Sequence, residues 1–224
     1  AMEKATGQQN VFVGKSSGEG GSGGGTAKRN AALGYSSLEK ITSGEDNVAI
    51  GNQAGLSIAN GNKHTMVGGN AGDAQVSGEQ VTCIGYNSES SSTTVSNEIT
   101  LGSSAISTLR CQVTSISALS DRRDKKDIKE LPIGLDFINA LNPVEFTWNM
   151  RDGAKVGQKE AGFIAQELDE AQQDAGVEEL MNLVLKNNPD KLEAAPSKLI
   201  PVLVKAIQEL SAEVKTLKLC QCNT

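Results

Sequence analysis

Aromatic residues and histidine are scarce in this chain. Phenylalanine, tryptophan and tyrosine make up 3% of the 224 residues, and there is a single histidine, His64. So few rings are unusual for the core of a globular domain of this length. Since the histidine lies in the first half, a Ser-His-Asp triad is not expected in the second half. We expect His64 to be a surface residue and not a metal ligand, because no second ligand type lies near it.

Long apolar runs and an excess of positive charge are also missing. No apolar run approaches the length of a membrane span, so membrane insertion is not expected. The net charge is −6, which gives no electrostatic basis for binding nucleic acid. No signal peptide is recognised, and Ala1 and Met2 look like a cloning remnant. The cysteines, at positions 83, 111, 220 and 222, lack zinc-ligand spacing, so we expect free thiols and neither a metal nor a cofactor.

Proline is absent from the first half of the chain, and glycine is infrequent in the second. All five prolines follow Ser120, whereas 19 of the 24 glycines precede it. So sharp a change in composition indicates two domains. We predict a repetitive β-stalk over residues 3–120 and a small, mostly helical α+β domain over residues 121–224.

The first half repeats with a period of 17 residues. Each unit contains a short apolar stretch that ends in glycine, as in Ala49-Ile50-Gly51, and these glycines lie at positions 34, 51, 68, 85 and 102. An earlier copy, Val11-Phe12-Val13-Gly14, is offset by the run Gly20–Gly25. A fixed period of strand-like triplets and turn glycines is the signature of a repetitive β architecture. Without proline, every backbone N–H can join a ladder.

The small apolar content of each repeat favours assembly of several chains. One unit offers two or three apolar side chains, which are too few to offset the entropy of its own ordering. Three chains around one axis would pool these side chains, so we predict an elongated homotrimer. A single-chain β-solenoid is the alternative. The residues predicted to line the trimer axis are Leu33, Ile50, Val67, Ile84 and Leu101.

The repeats carry a recognisable motif, whose clearest copy is Asn47-Val48-Ala49-Ile50-Gly51. It resembles the Asn-x-Ala-Ile-Gly repeats of phage fibre shafts and of the heads of trimeric bacterial adhesins. The resemblance implies a triple β-helix or β-roll. After the last repeat, residues 103–119 scatter apolar residues among serine, threonine and glutamine, which predicts a strand-rich neck. Its apolar residues are Ile106, Leu109, Cys111, Val113, Ile116 and Leu119.

The second half predicts both helices and strands. Val144–Trp148 alternates apolar and polar residues, and with a second strand over Gly157–Ile164 it predicts a hairpin. Helices are predicted over Gly134–Leu141, Gln166–Gln173 and Glu178–Leu185.

The last segment gives the clearest helical pattern. Its apolar residues recur at alternating spacings of three and four, which is typical of an amphipathic helix. This seam can pair with other chains or pack on its own domain. Its β-branched and leucine positions favour a parallel dimer in a long coiled coil, but barely three heptads are too few for that rule to decide against a trimer. The seam consists of Ile200, Leu203, Ile207, Leu210, Val214 and Leu217.

The junction between the halves begins a series of motifs. The pattern Ser-Asp-x-Arg-x-Lys is met at Ser120, Asp121, Arg123 and Lys125. Four further motifs follow it: Asn142-Pro143, Phe146-x-Trp148, Gly162-Phe163-Ile164-Ala165-Gln166-Glu167 and Ala206-Ile207-Gln208-Glu209-Leu210. In order and spacing, residues 118–217 resemble the endosialidase-type intramolecular chaperones. These are self-cleaving domains at the C-termini of phage tailspikes and tail fibres.

The resemblance implies a single-turnover serine endopeptidase with a Ser-Lys dyad. Ser120 would be the nucleophile, Lys125 the general base, and Ser120–Asp121 the bond that is cut. A lysine in water is protonated, so it must be desolvated or crowded by cations before it can act as a base. Residues five apart do not share a face of a helix or strand, so the dyad needs a turn or a lysine from a neighbouring chain. Lys126 as the base, and attack on the Leu119–Ser120 carbonyl, are alternatives.

The function implied is that of the distal part of a phage tail fibre or tailspike. This virion protein would be made in the host cytoplasm, and its C-terminal domain would hold three chains in register before releasing itself. A host cell-surface receptor is a possible partner of the stalk. A second function is a trimeric adhesin or structural shaft with a permanent, uncleaved cap. A third is a general serine peptidase, against which the lack of a substrate-cleft motif counts.

Overall fold

Two compact units make up the chain in the computed structural model. The structure describes residues 7–20, 25–112 and 115–221. The first unit comprises residues 1–109 and 150–155, and the second comprises residues 110–149 and 156–224. The predicted domain boundary at Ser120–Asp121 stays a prediction. Four predicted features lie outside the described residues: the remnant at Ala1 and Met2, most of the glycine run, Val113 and Cys222.

The first unit is a parallel β-solenoid of about five turns. Each strand is three residues long and pairs in parallel with the next strand along the chain. The paired residues are one 17-residue period apart from the second strand onward, so the predicted repeat is confirmed. The strands are Val11–Val13 (β1), Ala31–Leu33 (β2), Val48–Ile50 (β3), Thr65–Val67 (β4), Thr82–Ile84 (β5) and Ile99–Leu101 (β6).

The middle residue of each strand faces the interior of the solenoid. Ala32, Ala49, Met66 and Cys83 are buried at this position, and Phe12 packs against the same core. The corners between strands add further buried columns: Leu38, Ile41, Ala54, Ile58, Ala71 and Val81. One chain thus closes a core and completes its own ladder, as in the single-chain alternative. The homotrimer stays a prediction.

A ladder of buried side chains links successive turns on the inside. Asn30 Oδ1 accepts hydrogen bonds from the backbone N–H and Nδ2 of Asn47, at 2.9 and 3.0 Å. Asn47 Oδ1 accepts from the N–H of His64 at 2.9 Å, and His64 Nδ1 accepts from the N–H of Val81 at 3.1 Å. His64 is fully buried, so the expectation of a surface histidine is wrong. Its ring nitrogen replaces the amide oxygen of an asparagine in this ladder.

An apolar row runs along the outside of the solenoid. The last residue of each strand is stacked on the last residue of the next, because the strands pair in register. These side chains are exposed or half-buried, and none belongs to the core of the chain. We call this row the outer ladder. It consists of Val13, Leu33, Ile50, Val67, Ile84 and Leu101.

The neck differs from its prediction. Residues 103–112 and 115–119 form no strand, and their apolar side chains are exposed, from 52% at Ile106 to 100% at Ile116. A strand needs a partner for its backbone N–H and C=O groups, and the described residues supply none here. The prediction of a strand-rich neck is therefore wrong for this part of one chain.

The second unit combines four helices and four short strands within the described residues. The predicted hairpin is confirmed, with antiparallel strands at Val144–Thr147 and Lys159–Gly162. The predicted helices at 134–141 and 166–173 are confirmed with small shifts at their ends. The elements are Leu135–Ala140 (α1), Val144–Thr147 (β7), Lys159–Gly162 (β8), Ala165–Asp174 (α2), Glu178–Met181 (α3), Val184–Leu185 (β9), Glu193–Ala194 (β10) and Ile200–Gln221 (α4).

The helix predicted over Glu178–Leu185 is only half correct. It ends after one turn, because Asn182 takes a left-handed conformation with φ of 42°. The chain then enters β9, which places Leu183 and Val184 in the core of the unit. The Leu183 N–H donates to the buried Gln172 side chain at 2.9 Å, and this bond draws the chain away from the helical path.

Helix α4 packs on α1 through a face other than the predicted seam. Val202 and Ala206 are its buried residues. All six seam residues are exposed, including Ile207 at 66% and Leu217 at 64%. The seam therefore does not pack on its own domain. None of the helices in the described part of the chain is long and apolar enough to cross a membrane.

Candidate active site

A tight turn brings the predicted dyad together. Asp121 caps a short 3-10 helix over Arg122–Asp124, and its side chain accepts from the Arg123 N–H at 2.8 Å. The turn closes when the Lys125 N–H donates to the Arg122 carbonyl at 3.2 Å. Lys125 leaves the turn in an extended conformation, and its Nζ lies 2.6 Å from Ser120 Oγ. The turn that the sequence spacing requires is thus present within one chain.

The charges around the dyad are unevenly paired. Asp121 forms an ion pair with Arg123 at 2.6 Å, and this side-chain hydrogen bond lowers the pKa of the Asp121 carboxyl and raises the pKa of Arg123. The side chains of Arg122 and Lys126 make no hydrogen bond or ion pair with the described residues. Asp124 is likewise unpaired there and opposes their effect on Lys125. Asp127 is also unpaired there, so the unpaired charges next to Lys125 balance and leave no local excess of either sign.

Ser120 and Lys125 are both exposed in the single chain. Water solvates the Lys125 ammonium, which here donates a hydrogen bond to Ser120 Oγ. A general base must instead accept a proton from that oxygen, so the amine has to lose its own proton first. The contact distance suits proton transfer, whereas the solvation does not. A catalytic state therefore requires something that covers Lys125.

The remaining polar clusters do not form a second centre. In the residues that the structure covers, no group of three or more His, Cys, Asp or Glu side chains could hold a metal ion. Cys83 is buried in the solenoid core, which raises the pKa of its thiol to about 12 and makes the thiolate inaccessible near neutral pH. Cys111 and Cys220 are free and exposed.

Sequence reasoning missed the support for helix α1. Glu209, on α4, accepts the backbone N–H of Leu135 at 2.7 Å and so satisfies the start of α1. A side chain at Gly134 would push the Glu209 carboxylate aside and weaken this contact. The motif containing Glu209 was recognised as a terminal helix, but its contact lies 74 residues away along the chain and no local pattern reveals it.

Comparison with known proteins identifies a relative for part of the second unit. Residues 120–177 match the family model described as the chaperone of endosialidase. This segment is similar to the endosialidase-type chaperones. The match begins at Ser120 and includes the 3-10 turn, α1, the β7–β8 hairpin and α2. No curated protein and no solved structure matches the chain significantly.

The family match confirms the resemblance over residues 120–177, while the likeness of the terminal helix stays a prediction. The family consists of self-cleaving chaperones, so an intramolecular chaperone role is supported for this part of the chain. The solenoid lies outside the matched range.

Proposed function

We propose that this chain is the distal part of a phage tail fibre or tailspike that assembles as a homotrimer. Its chaperone segment holds three chains in register while the solenoid folds, and then releases itself by cutting Ser120–Asp121. The observation that carries this proposal is the 2.6 Å contact of Ser120 Oγ with Lys125 Nζ at the first residue of the family match.

Two exposed apolar rows support the homotrimer. The outer ladder presents one aliphatic side chain per solenoid turn, and the seam of α4 presents six more over about five turns of helix. Contiguous apolar surface of this kind marks an interaction site on a soluble protein. A trimer in which each row packs on the same row of the other copies buries both rows, and the burial of apolar area stabilises the assembly. The predicted axial residues belong to the outer ladder.

The cut at Ser120–Asp121 involves two copies. Ser120 Oγ does not attack its own carbonyl carbon, because that would close a small strained ring. The Ser120 of one copy, deprotonated by its Lys125, instead attacks the Ser120 carbonyl of a neighbouring copy. The proton taken by Lys125 passes to the Asp121 nitrogen, which leaves as an amine. Water then hydrolyses the ester between the two copies, which restores the hydroxyl and frees a new carboxylate.

The direction of the hydrogen bond between Lys125 and Ser120 explains why cleavage requires assembly. Lys125 is solvated in one chain and donates to Ser120, so it cannot accept a proton. Burial of the junction in a trimer favours the neutral amine. Cleavage then reports that three chains have met.

Intact-mass measurement under denaturing conditions tests the proposal. Purified wild-type chain should give two fragments, which end and begin at Ser120–Asp121, while light scattering under native conditions should give a trimer. A trimer that stays uncut leaves the permanent-cap function, which the exposure of Lys125 favours. A monomer under native conditions contradicts both. A cut between Leu119 and Ser120 would instead indicate attack on the preceding carbonyl within one chain.

A further inference from the structure

A groove crosses the chaperone unit between α1 and α2. Its volume is about 690 Å³, which lies in the range of sites that bury a drug-sized ligand or a few side chains. Phe137, Leu141 and Phe163 line its apolar part. These side chains belong to the core of the unit or pack against it, so the groove is preformed in a single chain.

The rim of the groove is acidic. Asp136, Glu170 and Asp174 line it, are exposed, and make no side-chain hydrogen bond or ion pair with the described residues. Two further carboxylates on the rim are already used: Glu167 accepts from Asn142 at 3.1 Å, and Glu209 binds the start of α1. Three free anions around an apolar floor fit a segment that carries both cations and aliphatic side chains.

The junction of this same chain has that composition. Ile116, Leu119 and Ile128 are exposed, at 100%, 83% and 56% of their surface. Between and beside them, the side chains of Arg122, Lys126 and Lys129 make no ion pair with the described residues; Asp124 and Asp127 are also unpaired, and the stretch as a whole keeps a net positive charge. Apolar side chains that fully face water are unfavourable, and unpaired cations beside them match the unpaired anions of the groove.

The junction does not fill the groove of its own copy. Pro132 and Ile133 line one end of the groove, and Leu131 already packs against the core. The chain therefore leaves the groove at this point, and residues 115–130 lie exposed except for the half-buried Asp121. We propose that residues 116–129 of a neighbouring copy lie in this groove. The inference rests on the proposed homotrimer and names the surface that covers Lys125.

This docking gives each copy two tasks. Its groove receives the junction of one neighbour, while its own junction lies on another neighbour, so the contacts form a closed ring. The apolar floor of the groove removes water from the junction only when copies have assembled, while the rim carboxylates pair with Arg122, Lys126 and Lys129 and not with Lys125. It also brings the Ser120–Asp121 bond of one copy to a fixed place on the next, as an attack between copies requires.

Chemical cross-linking of the full-length Ser120→Ala chain tests the docking without relying on cleavage. A carbodiimide joins amines to carboxylates that touch. Lys126 or Lys129 should be joined to Asp136, Glu170 or Asp174, and peptide mapping should find these links in the bands of two and three chains on a denaturing gel. The triple variant Asp136→Asn, Glu170→Gln, Asp174→Asn should lose them. The matched triple Glu179→Gln, Glu193→Gln, Glu213→Gln, which removes the same charge outside the groove, should keep them.

The same two triples in the cleaving chain supply the second measurement. The groove triple should keep the trimer mass but cut at least tenfold more slowly, whereas the control triple should cut at the wild-type rate. Links confined to single-chain bands, links to other carboxylates, or equal rates for the two triples would overturn the docking. A wild type that forms the links but stays uncut overturns the autoproteolysis alone. A wild-type trimer that cleaves itself but shows no cross-links between the junction and the groove carboxylates overturns the docking alone.

Discussion

The side chains of Ser120 and Lys125 meet because Asp121 and Arg123 fold the chain between them. Replacing Ser120 or Lys125 by alanine should each leave an intact chain that still forms trimers, since both residues are exposed and bury little surface. Lys125→Arg should also stay intact, because arginine remains protonated and cannot act as a base. Intact-mass measurement after trimerisation checks all three.

Lys126→Ala is the matched control for the dyad. Its side chain makes no hydrogen bond with Ser120, so the variant should still cut to completion, and any slowing should be no greater than the loss of one docking cation produces. A Ser120→Ala chain that still splits between residues 120 and 121 would exclude Ser120 as the nucleophile. Loss of cleavage in Lys126→Ala with full cleavage in Lys125→Ala would make Lys126 the base.

His64 makes the solenoid sensitive to acid. Burial lowers the pKa of its imidazole to about 4, and Nδ1 must stay unprotonated to accept the Val81 N–H. Its Nε2 has no hydrogen-bond partner in the described residues, and a side chain at Gly61 would collide with it. The unfolded chain has an ordinary histidine pKa near 6.5, so it binds more protons than the folded chain between pH 6.5 and 4. Stability therefore falls as the pH drops through this window.

At pH 5 the loss should be about 2 kcal/mol per chain relative to pH 7. Thermal melts of the uncleaved Ser120→Ala chain at the two pH values measure it. His64→Asn is the matched variant, because asparagine fills the same ladder position at Asn30 and Asn47 and does not titrate. The melting temperature of the His64→Asn variant should fall clearly less between pH 7 and pH 5 than that of the chain with His64. Equal losses in the two proteins would show that His64 is not the group responsible.

Individual residues were predicted from the sequence where a repeat or a motif identified them. The contact of Ser120 with Lys125 was expected from the junction motif, and their catalytic role stays a prediction; the turn that joins them depends on the capping of one 3-10 helix by Asp121, which periodicity does not encode. His64 was misplaced because it was considered alone. Its spacing of 17 from Asn47, and of 34 from Asn30, identifies it as a member of the inner ladder.

Among the elements, α4 offers the sharpest test of assembly. Ile207→Asp together with Leu210→Asp should disrupt the trimer while each chaperone unit stays folded, because both side chains are exposed in one chain. Lys215→Asp, elsewhere on the exposed surface of the same helix, should leave the trimer unchanged. Val202→Asp should instead unfold the unit, since this residue is fully buried. Light scattering and far-ultraviolet circular dichroism on the Ser120→Ala background separate these outcomes.

The sequence predicted elements well where local pattern and tertiary contacts agree. The 17-residue period identified the solenoid strands, and alternation identified the β7–β8 hairpin. Local sequence patterns failed to predict the structure where a contact between residues far apart in the chain determines it. Gln172 ends α3 early through its bond to Leu183, and the neck forms no strand because the described chain offers it no partner. Apolar spacing alone also does not reveal that the middle positions of the strands, such as Ala32 and Ala49, fill the interior while the larger aliphatic residues at the last positions remain exposed.

At the scale of the whole molecule, the proposed function predicts that the solenoid depends on its chaperone. Residues 1–120 expressed alone should be insoluble or misassembled, because the outer ladder is exposed before three chains meet. The same residues released from the full-length chain should stay trimeric once the chaperone is removed, since unfolding must cross a large barrier. Native light scattering of the two preparations compares them. Equal folding of the truncated chain would contradict the chaperone role.

The strict register of the solenoid also determines how its length can change. Every column, inside and outside, repeats once per turn, so a single inserted residue would shift inward-facing and outward-facing positions for the rest of that turn. Duplicating a whole 17-residue unit disturbs no column and adds about 4.8 Å, the spacing of neighbouring strands. The solenoid can therefore lengthen only by whole turns. Gene duplication can extend it in equal increments, without altering either end or the chemistry at the junction.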